Sequence, residues 1–113
     1  THKSSLKNKI CGEIIKIEVV NKKNKIALMR YEIEACIFCQ ASASALSNKI
    51  STFSKENLYK DIKDLEKHFK DKKIKLPKKF RHFKNLIDYR NINRYDCIML
   101  PFRALIKALK IQL

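Results

Sequence analysis

A chain of 113 residues, 45% of them hydrophobic, is long enough for one domain with a buried core. No run approaches the roughly 18 apolar residues that span a bilayer, and the opening segment THKSSLKNK lacks the apolar stretch of a secretory signal. The formal charge of +15 invites a nucleic-acid reading, but 21 lysines stand against five arginines, and base-edge and phosphate recognition favour the arginine fork.

The abundance of Lys, Asn and Ile beside a single Gly is what AT-rich codons produce whatever the function. The basic cluster Lys67 to Lys84 therefore reads as a solvated helix end and loop, with an acidic protein partner as its alternative use. The chain opens on Thr1 rather than Met and is expected to lack some upstream residues. Four cysteines without a secretory signal point to reduced thiols in the cytoplasm.

From Cys11 to Val20 apolar residues alternate, with Ile15, Ile17 and Val19 on one face and Lys16 and Glu18 on the other. Asn21-Lys-Lys-Asn24 supplies two residues tolerant of positive φ and predicts a hairpin turn. The return strand runs from Lys25 to about Glu34, with Ala27, Met29, Tyr31, Ile33 and Ala35 on one face. Beyond Cys36 the period becomes helical: Phe38, Ser42, Ala45, Lys49 and Phe53 share a face, and the Ala/Ser run lets this helix lie close to the sheet.

Ser54 is a predicted N-cap with Glu56 in the first turn. Leu58, Ile62, Leu65 and Phe69 form an apolar stripe that ends near Lys70. A basic loop with Pro77 follows, then a short helix on Phe80, Phe83 and Ile87 that Asn91-Ile-Asn93 breaks. The last helix carries Leu105, Ala108 and Leu109, with Pro101 confined to its first turn. The pattern is α+β: an antiparallel hairpin or small sheet followed by about four helices on one face, in a single domain over residues 1–113.

The pair in ACIFCQASAS, Cys36 and Cys39, could be half a zinc knuckle, a redox pair, or one corner of a site completed elsewhere. Cys11 and Glu13 are two apart on a strand and leave the same face about 7 Å apart, where a thiolate and a carboxylate can share one metal. Gly12 between them lets another group approach closely. Cys36 opens a helix, whose N-terminus favours a thiolate, and Cys97 stands just before the last helix in a similar setting.

These residues resemble a family. Cys11-Gly12-Glu13, then Ala35-Cys36-x-x-x-Gln40-Ala41-Ser42-Ala43-Ser44, then Arg94-x-x-Cys97-x-x-Leu100-Pro101-Phe102-x-Ala104-Leu105 look like the three blocks of IscU/NifU-type iron–sulfur cluster assembly scaffolds, the SufU-like branch above all. The match runs in order from Cys11 to about Leu109, with a helical insert before the third block. The resemblance implies a scaffold or sulfur-acceptor protein rather than an enzyme. It implies Cys11, Glu13, Cys36 and Cys97 as ligands of a [2Fe-2S] cluster or Zn²⁺. It also implies a cysteine desulfurase as sulfur donor, with Cys11 or Cys97 receiving the persulfide, and iron–sulfur acceptor proteins as recipients. Three thiolates and a replaceable carboxylate suit both zinc and iron.

The chain departs from the family in four places. Glu13 replaces an aspartate, Ile33-Glu34-Ala35 replaces flexible glycines, and Cys39 replaces a serine. Asp96 stands where the IscU branch has a histidine, and the LPPVK segment found there is absent. Cys39 is either a fourth thiol near the site or a core residue. Arg94 is either a surface cation or a stabiliser of the site's negative charge. Asp96 reads as a helix N-cap, His2, His68 and His82 as surface residues, and Ser42 and Ser44 as packing residues without a histidine base. Two other functions compete: a basic nucleic-acid-binding module with a structural zinc, and a dithiol redox protein using Cys36 and Cys39. The redox reading suffers from the hairpin before the motif, where thioredoxin-like proteins have a βαβ unit.

Overall fold

The alternating segments form a sheet of three strands, one more than the hairpin pattern asks for. The computed structural model describes residues 2–8, 12–23, 25–71 and 73–109. Strand β2 (Glu13–Lys22) and strand β3 (Lys25–Glu34) are the expected hairpin. Lys23 takes the positive φ of the turn, at 47°, and Asn24 lies outside the described residues. Strand β1 (His2–Asn8) pairs antiparallel with β2, so that β2 is central. Its sequence HKSSLKN has one large apolar residue, Leu6, and no alternation to mark it. Ser4 instead ties it down by donating its hydroxyl to the Ala104 carbonyl at 2.7 Å.

Ile15, Ile17 and Val19 of β2 are buried, as their alternation predicts. On β3 the pattern slips. The register shifts at Val20/Asn21, leaving Ala27 unpaired between Leu28 and Ile26. An extra residue in one strand turns the following side chains to the opposite face. Ile26 is therefore buried with Met29, while Ala27, expected inside, is exposed.

Helix α1 (Ile37–Asn48) buries Cys39, Ser42, Ala43 and Leu46. That face is rotated from the expected Phe38/Ala45 line, and the α-helix stops before Phe53, which follows a short 3₁₀ turn at Ile50–Thr52. The small residues bring α1 close mainly to the last helix, Tyr95–Ala108, rather than to the sheet as expected. The Ser42 hydroxyl, fully buried, donates to the Ile98 carbonyl at 2.6 Å.

Helix α2 (Lys55–Lys70) matches its pattern at both ends. Ser54 Oγ accepts from the Asn57 amide at 3.3 Å, and Leu58, Ile62, Leu65 and Phe69 are buried. The expected third helix is instead two 3₁₀ segments, Lys78–Phe83 and Tyr89–Arg94, the second kinked at Asn91. A period of three residues suits the Phe80/Phe83 spacing, and both rings are buried with Ile87.

Helix α3 (Tyr95–Ala108) is the spine of the molecule. It lies on β1 and β2, with α1 and α2 packed beside it. Pro101 falls inside it, not in its first turn. Proline has no N–H to offer the carbonyl four residues back, here that of Cys97. The proline is buried in the core, in a helix whose Ile98, Met99, Phe102, Ala104 and Leu105 are all fully enclosed. Burial of this length of helix outweighs one lost backbone bond.

Candidate metal centre

Three elements end at one edge of the sheet and each delivers one ligand-type side chain. Glu13 is the first residue of β2, Cys36 is the N-cap of α1, and Cys97 lies in the first turn of α3. One carboxylate oxygen and two Sγ atoms lie within 4.8 Å of one another, close enough to hold one metal ion. Glu13 is 4% exposed and Cys97 3%, whereas Cys36 is only partly buried. The expectation that Cys97 precedes its helix is corrected: α3 begins two residues earlier, at Tyr95.

Cys36 has the extended backbone of an N-cap, with ψ 166°, but its side chain caps nothing. Glu13 takes that role from another strand, its Oε2 accepting from the Cys36 amide at 3.0 Å. A carboxylate at a helix N-terminus is favoured by the exposed amides and the helix dipole. The same bond holds the Glu13 carboxylate beside Cys36. A cleft of about 190 Å³ opens over the group, bordered also by Gly12, Glu34 and Arg94.

Cys11 lies outside the described residues. Its neighbour Gly12 has φ +70°, a left-handed conformation that glycine adopts without strain. Among the described residues, chain neighbours aside, no atom lies within 4 Å of where a Gly12 Cβ would stand, so no other backbone there makes the close approach. Cys39 is fully enclosed on the core face of α1 and is not among the three grouped ligands. Arg94 is exposed, borders the cleft, and sets its guanidinium 5.6 Å from the Phe38 ring centre.

Asp96 does not cap α3. The N-cap residue is Arg94, and Asp96 pairs instead with Arg103 at 3.2 Å. Glu34 was not singled out from the sequence: it stands opposite Ile14, beside Glu13, only because of the register shift at Val20/Asn21, which the local pattern does not show. A larger open cleft of about 680 Å³, bordered by Lys3, Glu18, Arg30 and Tyr31, has no cysteine among the described residues that line it.

Burial dominates the thiol chemistry. Loss of hydration pushes Cys39 from the ordinary 9.0 up to about 12, and the negative charges of Glu13 and Cys36 add to it. The Cys97 thiol is raised too, first by burial and then by hydrogen bonding with Glu13 and Cys36. The folded, metal-free chain thus keeps protons that the unfolded chain releases above about pH 9. The unfolded state binds fewer protons there, so stability is full below pH 9.0 and falls as pH rises toward about 12. Urea midpoints of the metal-free protein are expected to drop across that window, and Cys39→Ala to flatten the drop. Metal affinity runs the other way, rising with pH, because each thiol must lose its proton to bind.

No protein-family model and no curated protein matches this sequence. Solved structures do. The N-terminal part of a NifU-like nitrogen-fixation protein from Brucella abortus is 17% identical, with a TM-score of 0.76 over 96% of this chain and 76% of that one. A candidate iron–sulfur cluster assembly scaffold for the SUF system, FiSufU from Fervidobacterium islandicum AW-1, is 23% identical, with a TM-score of 0.81 over 96% of this chain and 79% of that one. A hypothetical protein is 19% identical with a TM-score of 0.77, covering 96% and 81%. The chain therefore has the α+β fold of NifU-like and SufU-type proteins. The resemblance carried by its three sequence blocks and the likeness of its backbone point to the same group.

Proposed function

We propose that this chain is an iron–sulfur cluster assembly scaffold or sulfur acceptor, holding a [2Fe-2S] cluster or Zn²⁺ through Cys36, Cys97 and Glu13, with Cys11 as fourth ligand. The observation that carries the reading is the convergence of two sulfurs and a carboxylate oxygen within 4.8 Å from three separate elements. A buried carboxylate or thiolate is costly unless paired or bound to a metal, and this donor set fits zinc or iron. Bound zinc or a cluster would supply the positive charge that offsets the carboxylate and the thiolates of this ligand set. Glu13, the one hard ligand, is the one most readily exchanged.

The reading describes a binding and transfer protein, not a turnover enzyme. Its partners are a cysteine desulfurase and the proteins that receive the cluster, in the reducing cytoplasm that free thiols require. Cys36, Cys39 and Cys97 are all unbridged, and no helix among the described residues is long and apolar enough to cross a membrane.

Metal analysis of anaerobically isolated protein, followed by reconstitution with iron and sulfide, tests the proposal. Near-stoichiometric zinc, or visible charge-transfer bands after reconstitution, is the expected result. Protein that carries neither and takes up neither would overturn it.

A further inference from the structure

The end of the sheet opposite the metal centre is basic, and its cations are unanswered. Lys22, Lys23 and Lys25 stand at the turn of the β2–β3 hairpin and are exposed. The ten residues of β2 separate them from Glu13 by about 30 Å. The turn rests on the segment that follows α1: the Ile26 amide donates to the Phe53 carbonyl at 3.5 Å, and Lys25 bridges to Ser54. Lys49, the C-cap of α1, leads into that segment. The Phe53 ring lies 5.4 Å from that of Phe80, which brings in the Lys78–Phe83 segment with Arg81. Loss of hydration first, then the charges of Lys49 and Arg81, hold the His82 imidazole below the ordinary 6.5, so these two cations share one neighbourhood. An open cleft of about 880 Å³ is bordered by the three hairpin lysines, Ile26, Ala27 and Ser51, with no acidic residue among the described ones that line it.

Codon usage can raise the number of lysines, but it does not decide which of them lack carboxylates. Among the described residues, ion pairs answer Lys3, Lys63, Lys79, Arg90 and Arg103, and none answers Lys22, Lys23, Lys25, Lys49 or Arg81. The side chains also select the kind of anion. Four of these five cations are lysines, point charges without the planar fork that reads base edges. No aromatic residue borders the cleft, where single-stranded nucleic acid would need a stacking surface. Ala27, exposed at the bulge, borders it instead, and Leu28 beside it is 43% exposed. We propose that this end of the molecule is a docking surface for an acidic segment of a partner polypeptide. Its carboxylates would meet Lys22, Lys23, Lys25, Lys49 and Arg81, with an apolar side chain against Ala27 and Leu28. Docking here requires nothing of the metal centre and leaves the cleft over Cys36 and Cys97 open.

Fluorescence anisotropy with labelled poly-glutamate, and with labelled oligothymidylate of matched charge, tests this at about 150 mM salt. Wild-type protein is expected to bind poly-glutamate, and to bind it more tightly than oligothymidylate. Lys22→Glu, Lys23→Glu and Lys25→Glu together should weaken poly-glutamate binding by about tenfold or more. Lys49→Gln with Arg81→Gln should weaken it several-fold while leaving the hairpin untouched. Lys7→Glu, Lys16→Glu and Lys67→Glu together change the net charge as much as the hairpin variant, on other faces of the molecule. They should cost about twofold or less, since salt screens distant charges. Circular dichroism checks that each variant keeps its fold. Equal losses in the hairpin and control variants would overturn the proposal, because net charge alone would then account for binding. So would oligothymidylate bound as tightly as poly-glutamate, which would mark a nucleic-acid surface instead, or wild-type protein that leaves poly-glutamate unbound.

Discussion

Alanine in place of Cys97 is expected to abolish stoichiometric zinc binding while leaving the fold standing. The thiol sits in the first turn of α3, 3% exposed, with its sulfur inside the 4.8 Å group. Losing a group that merely orients a ligand weakens metal binding by about 10–100-fold, and removing a ligand should cost more. Cys36→Ala should do the same. Cys39→Ala, a comparable change on the same helix as Cys36 but outside the group, should keep its zinc. Competition against a chelator of known affinity reads all three, with circular dichroism confirming the helices. Equal zinc affinity in Cys97→Ala and wild type would mean that the convergence of side chains is packing and nothing more.

The largest stability effect is expected at Phe102. Its ring is fully buried and lies 5.5 Å from that of Phe83 and 6.1 Å from that of Phe80, which in turn is 5.4 Å from Phe53. This cluster joins α3 to the 3₁₀ segment Lys78–Phe83 and to Phe53. Phe102→Ala should cost about 3–5 kcal/mol, a large share of the roughly 5–15 kcal/mol that keeps a domain folded. Leu28, 43% exposed on β3, is the control, and alanine there should fall within about 0.5 kcal/mol of wild type. Urea unfolding monitored by circular dichroism distinguishes the two. A Phe102→Ala midpoint near that of wild type would place the core elsewhere.

Legibility followed local pattern. Helix α2 could be read from cap to last residue because its stripe, its Ser54 cap and its basic end all agree. The hairpin was equally plain. What the pattern could not carry was long-range compensation. Strand β1 is polar and is held by pairing and by Ser4. The bulge at Ala27 is invisible until the register is known. Pro101 breaks a local rule that burial overrides. At the site, the family resemblance implied Cys11, Glu13, Cys36 and Cys97, but only the fold brings the last three together. It also shows that the carboxylate answers to a backbone amide, and that Cys39 belongs to the core face.

That amide gives the pocket an unplanned witness. Zinc has no colour and no unpaired electrons, so its arrival would ordinarily leave no spectroscopic trace. The Cys36 N–H, however, rests on the very carboxylate that an incoming cation would compete for. Its proton resonance and its exchange with deuterium should register filling and emptying, so that a silent centre can be watched through the backbone.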